Sequence, residues 1–221
     1  MRILGIVTTP PGHRAEALLT SALGKPLLEY TAQAALGSQR LSRAVLCSDS
    51  AMVRAAGEEL GFEVGPQVID GGEIADWRFM MEQLEAEEGR HCDAVMLLPA
   101  IHPLRSREDI DGSIQLLERT GADAVVSLVR WRSPVAQWAG IDGEGRVVSA
   151  EKAGGRERSR TYLRDGSIAC YRRRLVLEDV TADRQDCRAW LVPPERSCPV
   201  EDDFDLFLME QLLRYPGRVV R

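Results

Sequence analysis

Aromatic residues are scarce in this sequence: Phe, Trp and Tyr together make up 5% of its 221 residues. A chain so poor in rings has little material for the stacking platforms of single-strand nucleic-acid binders. Cationic charge is also in deficit, with 28 Lys and Arg against 34 Asp and Glu and a net charge of −6. That balance argues against nucleic acid or an anionic membrane as partner, since either needs a concentrated positive surface. Arg156, Arg158, Arg160 and Arg164 are the local exception. No apolar run approaches a membrane span, and the opening Met1-Arg-Ile-Leu-Gly-Ile-Val7 reads as a buried strand rather than a secretory leader. Cys47, Cys92, Cys170, Cys187 and Cys198 are odd in number and contain no CxxC pair. Neither a disulfide scaffold nor a zinc site is suggested, so the expectation is reduced thiols in a cytoplasmic protein. Internal repeats are absent too.

What the sequence does have is enough apolar material, 44%, to fill one sizeable core, so a single domain over 1–221 is expected. Short apolar runs at 3–7, 44–47, 62–64, 93–98 and 124–129 alternate with amphipathic stretches at 26–36, 51–60, 75–88 and 107–120. This alternation predicts an α/β fold, a doubly wound, mostly parallel sheet with crossover helices. Ser48-Asp49-Ser50 offers caps for the second helix and Gly61 stops it. The run at 93–98 is the most apolar and predicts a central strand.

After residue 130 the pattern changes. Residues 139–141 and 146–149, with a turn at Asp142-Gly-Glu-Gly145, predict a β-hairpin within an excursion over 131–150. The stretch 151–161 reads as a loop, 167–171 and 188–192 as strands. The closing helix over 203–213 is expected to turn Phe204, Phe207, Leu208 and Leu212 inward. A ligand site is expected where the strands starting at Ile3, Ala44 and Asp93 end, because open α/β sheets bind there.

Three segments in order carry a family likeness: Gly24-Lys-Pro-Leu-Leu-Glu-Tyr-Thr31, Pro103-Leu-Arg-Ser-Arg-Glu-Asp-Ile-Asp111, and Pro194-Glu-Arg-Ser197 with Asp205 beyond it. Together with Gly121-Ala-Asp-Ala-Val-Val-Ser127 and Asp165-Gly-Ser-Ile-Ala169, they resemble the acylneuraminate cytidylyltransferases over nearly the whole chain. The resemblance implies a Rossmann-like nucleotidyltransferase fold. It also implies transfer of a cytidylyl group from CTP to an acidic or modified sugar, with release of pyrophosphate and help from Mg2+, in a homodimer. Such chemistry needs backbone N–H groups and guanidinium groups for the triphosphate, and carboxylates for a hard cation.

Several positions depart from the family pattern. The phosphate loop becomes Thr8-Thr-Pro-Pro-Gly-His-Arg14, in which Pro10 stands where the family has Arg and Thr20 near a family Lys. Thr8, Gly12, His13 and Arg14 are the candidates for holding nucleotide, against the reading of an ordinary strand-to-helix loop. The family's Gln-Pro-Thr-Ser-Pro-Leu-Arg becomes Pro99-Ala-Ile-His-Pro-Leu-Arg105, leaving His102 as a ligand contact or a helix-entry residue. Arg14 and Arg105 are the candidate catalytic cations, although an internal cap or ion pair is the commoner use of Arg105 with Asp109. The family's Asp-x-Asp falls on Pro199 and Glu201. A shifted metal site on Glu201 and Asp203 competes with an acidic helix start favoured by the macrodipole. Asp49 is either a helix cap or a ribose or metal contact. The arginines from 156 to 164 either meet a substrate anion or face solvent. Cys47 and Cys170 read as packing. The alternative overall is a catalytically inactive relative that binds nucleotide or a protein partner.

Overall fold

The computed structural model describes residues 1–65, 74–131, 139–141, 143–149, 161–180 and 185–215. The expected loop glycines Gly71 and Gly72, the turn residue Asp142 and the arginines at 156, 158 and 160 lie outside the described residues.

The first strand, β1 (Ile3–Thr8), is buried at all six positions, as a strand covered on both faces must be. Its side chains alternate between two apolar clusters: Ile3 and Val7 join one, Leu4 and Ile6 the other. A short hairpin of β2 (Ser21–Ala22) and β3 (Lys25–Pro26) leads into α1 (Leu27–Leu36). Then come β4 (Arg43–Cys47), α2 (Ala51–Glu59), β5 (Glu63–Val64), α3 (Ile74–Glu88), β6 (Ala94–Leu97), α4 (Arg107–Thr120) and β7 (Ala124–Trp131). The excursion is a hairpin of β8 (Ala139–Ile141) and β9 (Val147–Ser149). It is followed by β10 (Thr161–Arg172), α5 (Arg173–Leu177), β11 (Cys187–Val192) and α6 (Asp203–Arg214).

The main sheet runs β11-β7-β10-β6-β1-β4-β5. Parallel pairing joins β1 to β4 and β6, β4 to β5, and β11 to β7. The antiparallel member is β10, which lies between β6 and β7 and shifts register between Arg164 and Ala169. Beyond that irregularity β10 carries the hairpin, through Tyr162 opposite Ala139. The expected doubly wound, mostly parallel sheet with a central β6 is therefore the architecture observed. No helix among the described residues is long and apolar enough to cross a membrane.

Helices α1, α2, α4 and α6 feed one cluster and α3 and α5 the other. Local signals explain their limits. Ser50 caps α2, its Oγ accepting from Val53 N, and Gly61 follows at φ +94°, a backbone shape that favours glycine. Ser106 and Asp109 make a reciprocal capping box at the start of α4, and Gly121 ends it in the left-handed region. Ile110, Ile114 and Leu117 recur at helical spacing on its buried face.

Two expectations are corrected. The segment after β1 is a 3-10 helix, Gly12–Leu19, rather than a plain loop, because Ala15 and Leu18 bury one side of it. In α6 the inward residues are Met209, with Leu206 and Leu213 packed beside it, whereas Phe204, Phe207 and Leu208 face outward, at 65%, 54% and 37% exposure. This helix has apolar residues on two faces, and the 206/209/213 stripe fits helical spacing as well as the expected one.

Candidate functional site

Beyond the last residues of β1 and β6 the backbones stay joined: Leu98 N donates to Ile6 O at 2.9 Å and Ala100 N to Thr8 O at 2.8 Å. Thr9 Oγ1 donates to Ser48 Oγ at 2.8 Å, tying the end of β1 to the end of β4. Thr8, Thr9, Ser48 and Ala100 are all buried. Three strand ends thus form one rigid floor, and Thr8 belongs to it through its carbonyl. Directly after it stands the 3-10 helix. Among the described residues no side chain caps its start at Pro11, and the first N–H groups of a helix have no acceptor within the helix itself. Gly12 and His13 occupy that first turn.

A cavity of about 130 Å³ lies against this helix. Pro10, Leu18, Leu27, Ile101 and Val200 are among its apolar lining residues, and its charged residues are Arg14 and Glu201. Val200 N donates to Ile101 O at 2.8 Å, which fastens the segment before α6 to the loop after β6. The structure therefore brings together candidate residues almost 190 positions apart in the chain (14 to 201), one cation and one anion on a mostly apolar pocket. Both charged side chains belong to exposed residues. The apolar wall residues escaped the sequence reading; nothing in local periodicity separates Leu18, Ile101 or Val200 from ordinary core.

His102 and Arg105 do not line this cavity; they sit in a buried cluster beside it, at 4% and 2% exposure. Arg105 Nη1 donates to Pro99 O at 3.2 Å and to Ser167 O at 2.7 Å, clamping the loop after β6 to β10. Burial pulls the guanidinium below its ordinary value and the Asp165 charge pulls it back up, leaving it cationic at neutral pH. Burial, and then the neighbouring Arg105 charge, push His102 down to about 4, so its imidazole is neutral. Gly166, at φ +75°, leaves room here: a Cβ at that position would lie 3.5 Å from His102 Nε2. His102 Nδ1, Arg105 Nε and Nη2, and Asp165 Oδ2 are buried without a hydrogen-bond partner. Ser167 and Ser127 complete the polar patch, with Ser127 Oγ accepting from Ile168 N at 2.9 Å.

The remaining candidates lie at helix starts. Asp49 is exposed, and its carbonyl accepts from Arg54 Nη1 at 3.1 Å. Asp202 caps α6, accepting from Phe204 N and Asp205 N, while Asp205 Oδ2 accepts from Glu201 N at 3.0 Å. Asp203 lies in the first turn of that helix. Among the described residues no three of His, Cys, Asp and Glu stand close enough to hold a metal ion. The carboxylates thus fit magnesium only in the mode where bound phosphates supply most of its oxygen ligands, with Glu201 as the carboxylate on the pocket wall. Cys47 and Cys170 are buried, and burial drives each thiol up to about 12, which makes them packing groups rather than nucleophiles.

Asp109, by contrast, is a buried hub at 1% exposure. Its carboxylate accepts from Ser106 N and Oγ at 3.0 and 2.9 Å, from Trp190 Nε1 at 3.1 Å, and from Arg196 Nε and Nη2 at 3.0 and 2.7 Å. Burial works to raise its pKa, and the bonds from Arg196, Ser106 and Trp190 outweigh that and hold it below the usual range. The expected pairing of Asp109 with an internal cap is present, and its ionic partner is Arg196.

No protein-family model matches this chain, and no curated protein does. Solved structures share its fold. A CMP:2-keto-3-deoxy-manno-octonic acid synthetase complexed with CTP superposes with a TM-score of 0.74, at 13% identity over 96% of this chain and 98% of that one. A 4-diphosphocytidyl-2C-methyl-D-erythritol synthase from Anaerococcus prevotii does so with a TM-score of 0.67, at 14% identity over 97% and 99%.

Proposed function

We propose that this chain is a divergent nucleotidyltransferase that moves a cytidylyl group from CTP to a hydroxyl of an acidic or modified sugar and releases pyrophosphate. The observation that carries the reading is the cavity in which Arg14 and Glu201 meet beside the carboxyl ends of β1 and β6. The two structural neighbours add support, since the name of each speaks of a cytidylyl product and one is a complex with CTP.

In this reading the substrate hydroxyl oxygen attacks the α-phosphorus in line, a new O–P bond forms, the hydroxyl proton passes to solvent, and the bond to the bridging oxygen breaks with its electron pair going to pyrophosphate. The chain's own part is positioning and charge. Arg14 and the helix-start N–H groups of Gly12 and His13 neutralise phosphate oxygens. The apolar walls exclude water from one side of the ligand. Magnesium supplies charge neutralisation at the phosphates, and Glu201 is the residue that would hold it. Arg105 keeps the loop after β6 in register with β10 rather than touching the nucleotide.

The test is pyrophosphate release from CTP, UTP, ATP and GTP with magnesium, against a panel of sugar acids, alongside thermal unfolding with each nucleotide. CTP at a hundred times its dissociation constant should stabilise the fold by about 2.7 kcal/mol, a rise in Tm of about 5–10 °C. Stabilisation without turnover would favour a binding-only relative. Neither effect with any triphosphate ends the nucleotide reading.

A further inference from the structure

We propose that Asp109 is a positioning residue for the pocket, a latch that fixes its far wall through Arg196. The proposal rests on the reading of that cavity as the ligand site. The wall in question is the segment 197–201, which carries Val200 and Glu201. It is pinned twice. At its start, Arg196 ends a single 3-10 turn, Pro194–Arg196, and places both guanidinium donors on the buried Asp109 carboxylate. At its end, Val200 N donates to Ile101 O. Between the two pins only the Ser197 N to Pro194 O bond holds the backbone among the main-chain bonds of the described residues.

The loop that receives this wall is held next to the same helix end. Arg105, immediately before the Ser106 cap of α4, clamps the loop that carries Ile101. The start of α4 thus anchors both partners of the Val200 to Ile101 bond, one through Asp109 and Arg196 and the other through the adjacent Arg105. Trp190 locks the arrangement: its Nε1 donates to Asp109, and its ring packs so closely on α4 that a Cβ on Gly112 would lie 2.1 Å from Cη2. Asp109 receives five hydrogen bonds from three chain segments, which leaves its carboxylate no spare acceptor site. Arg196 is the cation hydrogen-bonded to this buried carboxylate, while Arg105 acts on it only through its charge, so the wall loses its anchor at residue 196 when the pair is broken. A ligand then has to order that wall at its own expense, and binds more weakly.

The experiment uses the full chain with Arg196→Gln, Arg196→Lys and the charge-balanced pair Asp109→Asn with Arg196→Gln, the last to guard against misfolding of the single variant. Hydrogen exchange is read at the Val200 amide and at Ala94–Leu97 of β6, and binding of CTP with magnesium is read by calorimetry. Arg196→Gln should speed exchange at Val200 about tenfold while β6 is unchanged, and weaken CTP about fivefold or more, with Arg196→Lys recovering part of both. The balanced pair should keep the fold and still show the fast Val200 amide. Unchanged exchange at Val200, or acceleration that spreads equally to β6, overturns the latch. If the unaltered protein does not bind CTP, the reading of the cavity fails, and the Val200 amide alone decides the latch.

Discussion

Replacing His102 by glutamine should flatten the pH dependence of stability between pH 6.5 and 5. In the folded chain the imidazole is held down to about 4 by burial and by the adjacent Arg105; in the unfolded chain it returns to its ordinary value of 6.5. A base whose folded pKa is depressed binds protons preferentially in the unfolded state, so stability falls as pH falls from 6.5 towards 4 and levels off below that. Over one and a half pH steps the cost is on the order of 2 kcal/mol, at 1.36 kcal/mol per step. The facing charges are Arg105, which opposes protonation, and Asp165, which favours it. Carboxylates contribute little in this window because most titrate lower, and comparison with the His102→Gln variant cancels what they do contribute. Urea unfolding at intervals of half a pH step, on both proteins, reads the difference directly. Parallel stability curves for the two proteins across pH 6.5 to 5 would refute the argument, and with it the placement of the ring away from water.

Three further outcomes are expected. Gly112→Ala forces a methyl group into the Trp190 ring and should cost about 1–3 kcal/mol in urea unfolding, with Trp190→Leu in the same chain relieving part of it. Glu85, whose carboxylate pairs with Arg173 at 2.7 Å, faces a burial penalty that the bonds from Arg173, Cys92 and His91 outweigh, holding it at about 2 against 4.5. Its contribution is full above pH 4.5 and is lost as pH falls towards 2, so Glu85→Gln should remove on the order of 3 kcal/mol at neutral pH and blunt the acid transition. Arg14→Ala, at an exposed position on the pocket, should leave unfolding within about 0.5 kcal/mol of the parent while abolishing most of the CTP-induced rise in Tm.

Much of the sheet was legible because burial on both faces leaves continuous apolar runs, as in β1 and β6. Helix limits were legible where capping chemistry is local: Ser50, Asp109 and Gly61 each act within a few residues of themselves. The inward face of α6 was not, because Phe204, Phe207 and Leu208 make as good a stripe as Leu206, Met209 and Leu213, and only tertiary contacts choose between them. The site divided in the same way. Arg14 and Glu201 were candidates on chemistry alone, and their meeting depends on the Val200 to Ile101 bond, which no local pattern encodes. Arg105 and His102 stand in a motif that points to ligand contact, yet the chain buries both under Gly166 and Ser167, residues more than 60 positions away.

The place of β10 also governs how this protein can be made. Synthesis delivers β6 and β7 before the strand that pairs with both, so until residues 161–172 follow, each of those two strands lacks its β10 partner. Unfilled edges of that kind are templates for association with other chains. A chain cut before residue 161 leaves those edges unpaired permanently, and its fate should be inclusion bodies rather than a smaller soluble protein.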